Sequence, residues 1–340
     1  MKKVLIIAAI LLVVGALLVG VGWVLLQKNP PKMNTVKDSA YVYHISEVPT
    51  QINIITINSR VELRPIEGDE WKVECMDKEK LYHTVELVDG LLTVKQIDTR
   101  AWYEHIGILN GLQNITVTVY LPEQVYENLN IHSTSGSIKV GKEFVFSNVS
   151  LQNTSGSISC ASRVTSALDV KATSGSITVS GSVGGNLNAQ NTSGSITISG
   201  SVGGDLIAKN TSGSITISGG VDGKLDVTNS SGRIEVKNAT PTSATIQNAS
   251  GSIDLLNVVC QGNCEIANTS GSIELERCDA ASFDVKTTSG SIKGSILSAK
   301  VFDCHSTSGS VHTPENGEGG TFRARSTSGS IKVKIVSPAQ

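Results

Sequence analysis

A five-residue stretch, Thr211-Ser212-Gly213-Ser214-Ile215, decides the fold because close copies of it recur from Thr134 to Ile331. Eleven glycines mark the copies, and successive glycines are 19 or 20 residues apart. The usual helix-containing repeats are about 33 to 45 residues long, so each repeat here is expected to consist of strands and turns. The sequence therefore predicts an all-β, single-chain β-solenoid (β-helix) in which each repeat is one coil. The glycines are Gly136, Gly156, Gly175, Gly194, Gly213, Gly232, Gly251, Gly271, Gly290, Gly309 and Gly329.

Apolar residues alternate with polar residues on both sides of each glycine, as in a half-buried strand. Around Gly213, Leu206 and Ala208 precede the turn, and Ile215 and Ile217 follow it. Other repeats keep these spacings, so apolar columns are predicted to run along the array and form its core. The column seven residues before the glycine consists of Leu129, Val149, Leu168, Leu187, Leu206, Leu225, Ala244, Cys264, Phe283, Phe302 and Phe322.

Two polar features belong to the turn. The glycine is predicted to have a positive φ, where a Cβ would cost about 1 kcal/mol or more. Three residues earlier, asparagine recurs, with Ser or Thr in most other repeats. Amides stacked about 4.8 Å apart can bond to their neighbours, which predicts an asparagine ladder at an inner corner. Six separate Asx turns are the alternative. The asparagines are Asn153, Asn191, Asn210, Asn229, Asn248 and Asn268.

Charge and cysteine content restrict the function. The formal net charge of −2 argues against a protein that binds nucleic-acid phosphates. The six cysteines occupy apolar positions, which predicts small buried residues. Cys260 and Cys278 are expected one coil apart, so a disulfide between them stays an alternative in an oxidising compartment. A metal site at Cys260 and Cys264 is not predicted, because no further ligand pair accompanies them.

The sequence shows no recognisable catalytic motif, and we predict no catalytic, cofactor-binding or metal-binding residue. The six histidines are dispersed without a cysteine or carboxylate at metal-site or triad spacing, so surface positions are expected. Asp284 and Asp303 are expected one coil apart, but the nearby Lys286 favours a solvated surface over a polysaccharide-cleaving pair. A column of threonines, including Thr192 and Thr211, could match ice or a glycan, although capping of the turn backbone is the stronger interpretation.

The residues before the repeats predict a membrane anchor and a cap. Residues 4–26 carry no charge, and 23 residues suffice to cross a bilayer about 30 Å thick. We expect an uncleaved transmembrane helix there, a cytoplasmic stub at 1–3 and an extracytoplasmic body. Lysines on both sides leave the reverse orientation as an alternative. Residues 27–48 predict a stalk linker, 49–128 irregular N-terminal β coils that cap the stack, and 129–340 the regular solenoid.

Several motifs together resemble a known family. They are Ile52–Leu63, Asp89-Gly90-x-Leu92, Val117-x-Val119-Tyr120-Leu121-Pro122 and the eleven Ser-Gly motifs. The arrangement resembles the bacterial "putative adhesin" β-strand repeat family, once described as a domain of unknown function, in which a membrane segment precedes repeated Ser-Gly coils. The motifs are specific for the fold and weak for function.

The leading functional hypothesis is a non-enzymatic, membrane-anchored cell-surface solenoid that acts in adhesion or binds envelope polymers. Its expected partners are the membrane, through residues 4–26, and cell-wall glycan or another surface protein. Outward positions such as Lys171, Gln190, Lys209 and Gln247 are expected to supply contacts. The alternatives are an envelope-stress or regulatory component and a polysaccharide-degrading β-helix enzyme, which a clustered acidic face would favour.

Overall fold

The described part of the chain is entirely β. The predicted stub at 1–3 and membrane helix at 4–26 lie outside it. Within it, no helix is long and apolar enough to cross a membrane. The structure, a computed structural model, describes residues 39–45, 47, 49–68, 71–102 and 115–336.

The described residues form twenty-nine strands in two long sheets. In spatial order, the first sheet consists of β1 (Ser39–Ile45), β4 (Trp71–Asp77), β7 (Thr116–Leu121), β3 (Arg60–Pro65), β9 (Ile138–Val140), β11 (Ile158–Cys160), β13 (Ile177–Val179), β15 (Ile196–Ile198), β17 (Ile215–Ile217), β19 (Ile234–Ala239), β21 (Ile253–Val258), β23 (Ile273–Cys278), β25 (Ile292–Ile296), β29 (Ile331–Ile335) and β27 (Val311–His312).

The second sheet lies on the other side of each turn glycine. In spatial order, it consists of β5 (Leu81–Val88), β6 (Leu91–Asp98), β2 (Gln51–Thr56), β8 (Val125–Ser135), β10 (Val145–Ser155), β12 (Arg163–Ser174), β14 (Leu187–Ser193), β16 (Leu206–Ser212), β18 (Lys224–Ser231), β20 (Ser243–Ser250), β22 (Asn263–Ser270), β24 (Ser282–Ser289), β28 (Thr321–Ser328) and β26 (Val301–Ser308).

The predicted apolar columns are present, which confirms the β-solenoid. Leu206 is paired in parallel register with Leu187 on one side and Leu225 on the other. Ile215 has the same relation to the isoleucines of its neighbours. All of these side chains are at most 1% exposed. Because each coil buries its apolar residues against its neighbours, stability comes from the stack rather than from a single coil.

The N-terminal end is closed by antiparallel strands. β1 pairs with β4, and β5 pairs with β6, in contrast to the parallel pairing of the coils. The predicted linker at 27–48 is therefore wrong at its C-terminal end, where Ser39–Ile45 forms β1. Tyr43 and Ile45 of this strand pack against the core, and their alternation with exposed residues is the signal that the prediction missed.

Coils do not stack in chain order at either end. β2 lies between β6 and β8 although β6 follows it in sequence. At the other end, the final coil, β28 and β29, is inserted between the coil of β24 and β25 and the coil of β26 and β27. The expectation that Asp284 and Asp303 lie one coil apart is consequently wrong, because Arg323 pairs with both. The turns at Gly290, Gly309 and Gly329 share the sequence Thr-Ser-Gly-Ser, so the turn sequence does not fix the order of these coils.

Candidate functional site: a polar trough along the second sheet

The turn glycines are required by the stacking of the coils. All eleven have positive φ, between 113° and 151°. At Gly213, where φ is 117°, an added Cβ would lie 2.3 Å from the carbonyl oxygen of Gly194 in the preceding coil. That carbonyl belongs to the backbone and cannot rotate away as a side chain could. The glycine column therefore allows the backbones of successive turns to approach closely.

The asparagines bind these same glycine carbonyls. Asn210 Nδ2 donates to the carbonyl oxygen of Gly194 at 2.8 Å. The other five asparagines make the equivalent bond to the preceding coil at 2.6 to 2.9 Å. Five of them stack in register and are buried, as a ladder requires. The predicted bonds between neighbouring amides are not formed: in the described residues, the Oδ1 atoms of these five asparagines have no hydrogen-bond partner.

Hydroxyl residues replace asparagine in several coils. Thr287 Oγ1 donates to Gly271 O at 3.3 Å, and Ser326 Oγ donates to Gly290 O at 3.2 Å. Ala172 occupies the same register between Asn153 and Asn191 and has no side-chain donor. Asparagine and glycine thus form one structural unit that spaces the coils.

A shallow, interrupted trough follows the outer face of the second sheet. It consists of three depressions of about 900, 380 and 630 Å³. Lys171 lines both the first and the second, and Thr228 and Ser230 line both the second and the third. The trough extends from β2 to β26, which spans about 50 Å at a strand spacing of about 4.8 Å. We call this surface the trough.

Amides and hydroxyls dominate the lining of the trough. Its first depression contains the amide side chains Gln51, Asn53, Asn128, Asn130, Asn148, Gln152, Asn186 and Asn188. The other two contain the threonine column, including Thr192, Thr211 and Thr269. Among the described lining residues, none is Trp, Tyr or Phe. The trough therefore offers many neutral donors and acceptors and no aromatic stacking platform.

The charged residues of the trough are largely neutralised. Lys171 forms an ion pair with Asp169 at 2.7 Å, and Lys286 forms one with Asp284 at the same distance. Arg325 binds the carboxylate of Asp303, also at 2.7 Å, and together with Arg323 this guanidinium lowers the pKa of Asp303. These exposed pairs add little stability, but they remove the cationic surface that a polyanion would need.

The predicted contact positions all line the trough. Lys171, Gln190 and Lys209 surround the second depression, and Gln247 lines the third. These side chains occupy one register on successive strands, with Thr228 between Lys209 and Gln247. The structure brings them onto one face, as period-2 alternation and a 19-residue repeat together require.

A buried polar cluster in the N-terminal cap was missed by the sequence analysis. His83 Nδ1 lies 2.6 Å from Asp77 Oδ1, and His83 Nε2 lies 3.0 Å from Ser59 Oγ. The expectation that all histidines lie on the surface is wrong for His83, which is 2% exposed. The three residues come from separate strands or turns, so no local sequence motif predicts that they form a cluster.

This cluster has the distances of a catalytic triad but not the accessibility. Ser59 is completely buried, so its hydroxyl cannot reach a substrate. Cys75, Asp77 and His83 also place three donor atoms within 4.8 Å of one another. Both ring nitrogens of His83 are already hydrogen-bonded, and burial raises the pKa of the Cys75 thiol to about 12. We interpret the cluster as a satisfied polar network that fixes the cap.

The cysteines behave mainly as core residues. All six are free thiols, and Cys304 alone among them is partly exposed. The disulfide considered between Cys260 and Cys278 is not formed. Interaction with the neighbouring Cys260 thiol, together with burial, raises the pKa of Cys264.

The comparison with protein families agrees with this architecture. The model of the Toastrack DUF4097 family matches residues 50–236 and 214–340. The chain belongs to the Toastrack DUF4097 family. This assignment confirms the resemblance drawn from the Ser-Gly motifs, and the two Toastrack matches cover the cap as well as the regular coils. Among curated proteins, no sequence matches this Toastrack chain.

Solved structures similar to this Toastrack chain are distant from it. A "putative lipid binding protein" of Parabacteroides distasonis is 14% identical, with a TM-score of 0.37 over 88% of this chain and 98% of its own. A "putative cell adhesion protein" of Clostridium sporogenes is 10% identical, with a TM-score of 0.20 over 88% and 100%. A "putative adhesin" of Bacteroides fragilis is 12% identical, with a TM-score of 0.27 over 88% and 99%. At these TM-scores the likenesses carry no argument about function.

Proposed function

We propose that this protein is a non-enzymatic, membrane-anchored cell-surface solenoid whose trough binds a linear, largely uncharged envelope polymer such as cell-wall glycan. The observation that carries the proposal is the row of three depressions along the second sheet, in which neighbouring depressions share lining residues. A compact ligand needs one depression, whereas an extended chain can use a polar surface about 50 Å long.

The chemistry of the trough supports a hydroxyl-rich ligand. Asn and Gln side chains both donate and accept hydrogen bonds, as does the hydroxyl of Thr. Sugar hydroxyls have the same dual character, so each coil can make one or two matched contacts. The ion pairs at Lys171 and Lys286 leave little net charge on this face, which disfavours nucleic acid and other polyanions.

Binding through such a surface depends on repetition. Each exposed hydrogen bond contributes about 0.5 to 1.5 kcal/mol, because water competes for the same groups. A short oligosaccharide is therefore expected to bind weakly, and a polymer that contacts many coils at once is expected to bind far more tightly.

The proposed absence of enzyme activity is supported by two carboxylates that lie beside the trough. Asp284 is engaged by Lys286, and Asp303 is engaged by Arg325. Arg323 lies between the two acids, so they do not form the close pair that glycoside hydrolysis uses. The surface location is supported by the uncharged segment at 4–26, which has the length of a membrane anchor.

The test is co-sedimentation of the purified full chain, in detergent, with insoluble cell-wall glycan, alongside a glycan array. The triple variant Asn130→Ala, Asn148→Ala, Gln152→Ala removes amides from the first depression. Its matched control, Thr178→Ala, Thr197→Ala, Thr216→Ala, changes three outward residues of the first sheet.

We expect the trough variant to bind polymer about tenfold or more weakly, from the loss of several exposed hydrogen bonds, and the control to bind like the parent. Equal binding by both variants would show that the trough is not the site. Failure of the parent to bind any glycan polymer would overturn the proposed ligand class.

A further inference from the structure

The end of the stack opposite the antiparallel cap is formed by an internal coil. Among the strands of the described residues, β26 ends the second sheet and β27 ends the first, and each pairs with a neighbour on one side only. Side-chain bonds across the turns give the same order. Ser326 binds the carbonyl of Gly290, and Ser306 binds the carbonyl of Gly329. The coil of β26 and β27 is therefore outermost although the final coil follows it in sequence.

The apolar core is open at this end. Phe302 and Cys304 are partly exposed, whereas Phe322 and Ala324, which pair with them in the adjacent coil, are completely buried. Val311, which pairs with the completely buried Ile331 of the adjacent coil, is 39% exposed. At the other end, antiparallel strands close the equivalent surface. Because of this difference, the β26 end is the stronger candidate for an interaction surface.

The edge of β26 has little protection against pairing. Its eight residues contain no proline, glycine or lysine, the residues that commonly blunt an exposed edge. One contact does cover part of it: the backbone N–H of Phe302 donates to Asn316 Oδ1 at 2.8 Å. Asn316 lies in the loop between β27 and β28, so a side chain occupies the acceptor position that a paired strand would fill.

We propose that β26 pairs antiparallel with β26 of a second copy, centred on Cys304, and joins two solenoids end to end. In this register Asp303 of each copy faces His305 of the other. Two symmetry-related pairs of a carboxylate and an imidazole therefore lie across the interface, where each pair can form a hydrogen bond or an ion pair. A register centred on Asp303 would instead place two carboxylates face to face, which is destabilising. The twofold arrangement keeps Phe302 and Cys304 of both copies on the inner face, so the open cores become continuous.

The Asn316 bond competes with this pairing. In the antiparallel register, the N–H of Phe302 bonds to the carbonyl of Ser306 of the second copy, and Asn316 must leave. Removal of the Asn316 side chain is therefore expected to strengthen the dimer. A dimer formed through any other surface would not respond in this way.

Sedimentation of the full chain in detergent measures the association. The mass of one chain is 35.7 kDa, and we expect a species of twice that mass. Asp303→Lys should weaken dimerisation about tenfold or more, because it places a cation opposite His305 and a like charge near two arginines. The matched control, Asp284→Lys, breaks an equivalent ion pair two coils inside the stack and should not change the association. Asn316→Ala should tighten the dimer about threefold or more.

Cross-linking tests the register. Directly opposed residues of antiparallel strands have Cα atoms about 4.5 to 5.5 Å apart, within the range of a disulfide. Dioxygen, with copper–phenanthroline as the catalyst, should oxidise two Cys304 thiols to an intermolecular disulfide, and Cys304→Ser should abolish the product. A chain that remains monomeric would overturn the proposal. So would a dimer that Asp303→Lys and Asn316→Ala leave unchanged, or one that gives no Cys304 disulfide. None of these results depends on glycan binding.

Discussion

The Gly213→Ala substitution tests the reason for the repeated turn. Gly213 has a φ of 117°, which an L-residue adopts at a cost of about 1 to 2 kcal/mol. The new Cβ would also lie 2.3 Å from the carbonyl oxygen of Gly194. Relief of that contact requires the coils to separate, and overpacking of this kind costs about 1 to 3 kcal/mol. We therefore expect a total loss of about 2 to 5 kcal/mol in the free energy of unfolding.

Gly220→Ala is the matched control in the same coil. Gly220 has no positive φ, and an added Cβ there has nothing within 4 Å. This substitution should be neutral or stabilise the protein by up to about 1 kcal/mol, because alanine restricts the unfolded chain. Equilibrium unfolding in urea, followed by circular dichroism, compares the two variants with the parent.

The slope of each unfolding transition must be compared together with its midpoint. A repeat protein can unfold in segments, and a changed slope would indicate that cooperativity has been lost. Equal stability of the Gly213→Ala and Gly220→Ala variants would refute the reasoning, because backbone contact between coils would then not be what requires glycine.

Three further predictions concern single contacts and the repeat. Asn210→Ala should lower the free energy of unfolding by about 1 to 3 kcal/mol, because the Gly194 carbonyl loses its hydrogen-bond donor. In the same urea titration, Asn210→Thr should lower it by less, because the threonine hydroxyl can also donate. Removal of one whole coil, 187–205, should preserve the β signal in circular dichroism, whereas removal of 187–196 should reduce it, because the first deletion keeps every remaining coil in register. Alkylation of Cys304, followed by mass spectrometry, should accelerate about tenfold per pH unit from pH 7 to 10, because burial raises the pKa of this thiol to about 11. A rate that levels off near pH 9 would show that burial does not raise the pKa of Cys304 to about 11.

The regular part of the fold could be predicted from sequence because its signals are local and repeated. Leu206 and Ile215 keep fixed distances from Gly213, and the same distances recur in the neighbouring coils. These spacings predict which residues share a column and which face outward. The contact positions Lys171 and Gln247 were found on one face for the same reason.

The remaining features could not be predicted because they depend on contacts between distant segments. The coil order at the ends is set by strand pairing, and the turn sequence at Gly290 is the same as that at Gly329. The cluster of Ser59, Asp77 and His83 assembles from separate elements of the cap. The glycine carbonyl as the asparagine acceptor was missed because the expected ladder considered side chains alone.

Both the trough and the open end depend on the order and spacing of the coils. Distances between pairs of spin labels, measured by electron paramagnetic resonance, test this order directly. Spin labels at Lys209 and Arg325 should be separated by five strand spacings, about 24 Å between backbones, and labels at Lys209 and His305 by six, about 29 Å. The Arg325 pair is expected to be closer by about one strand spacing. A shorter distance for the His305 pair would show that the coils stack in chain order, which would contradict the strand order described above.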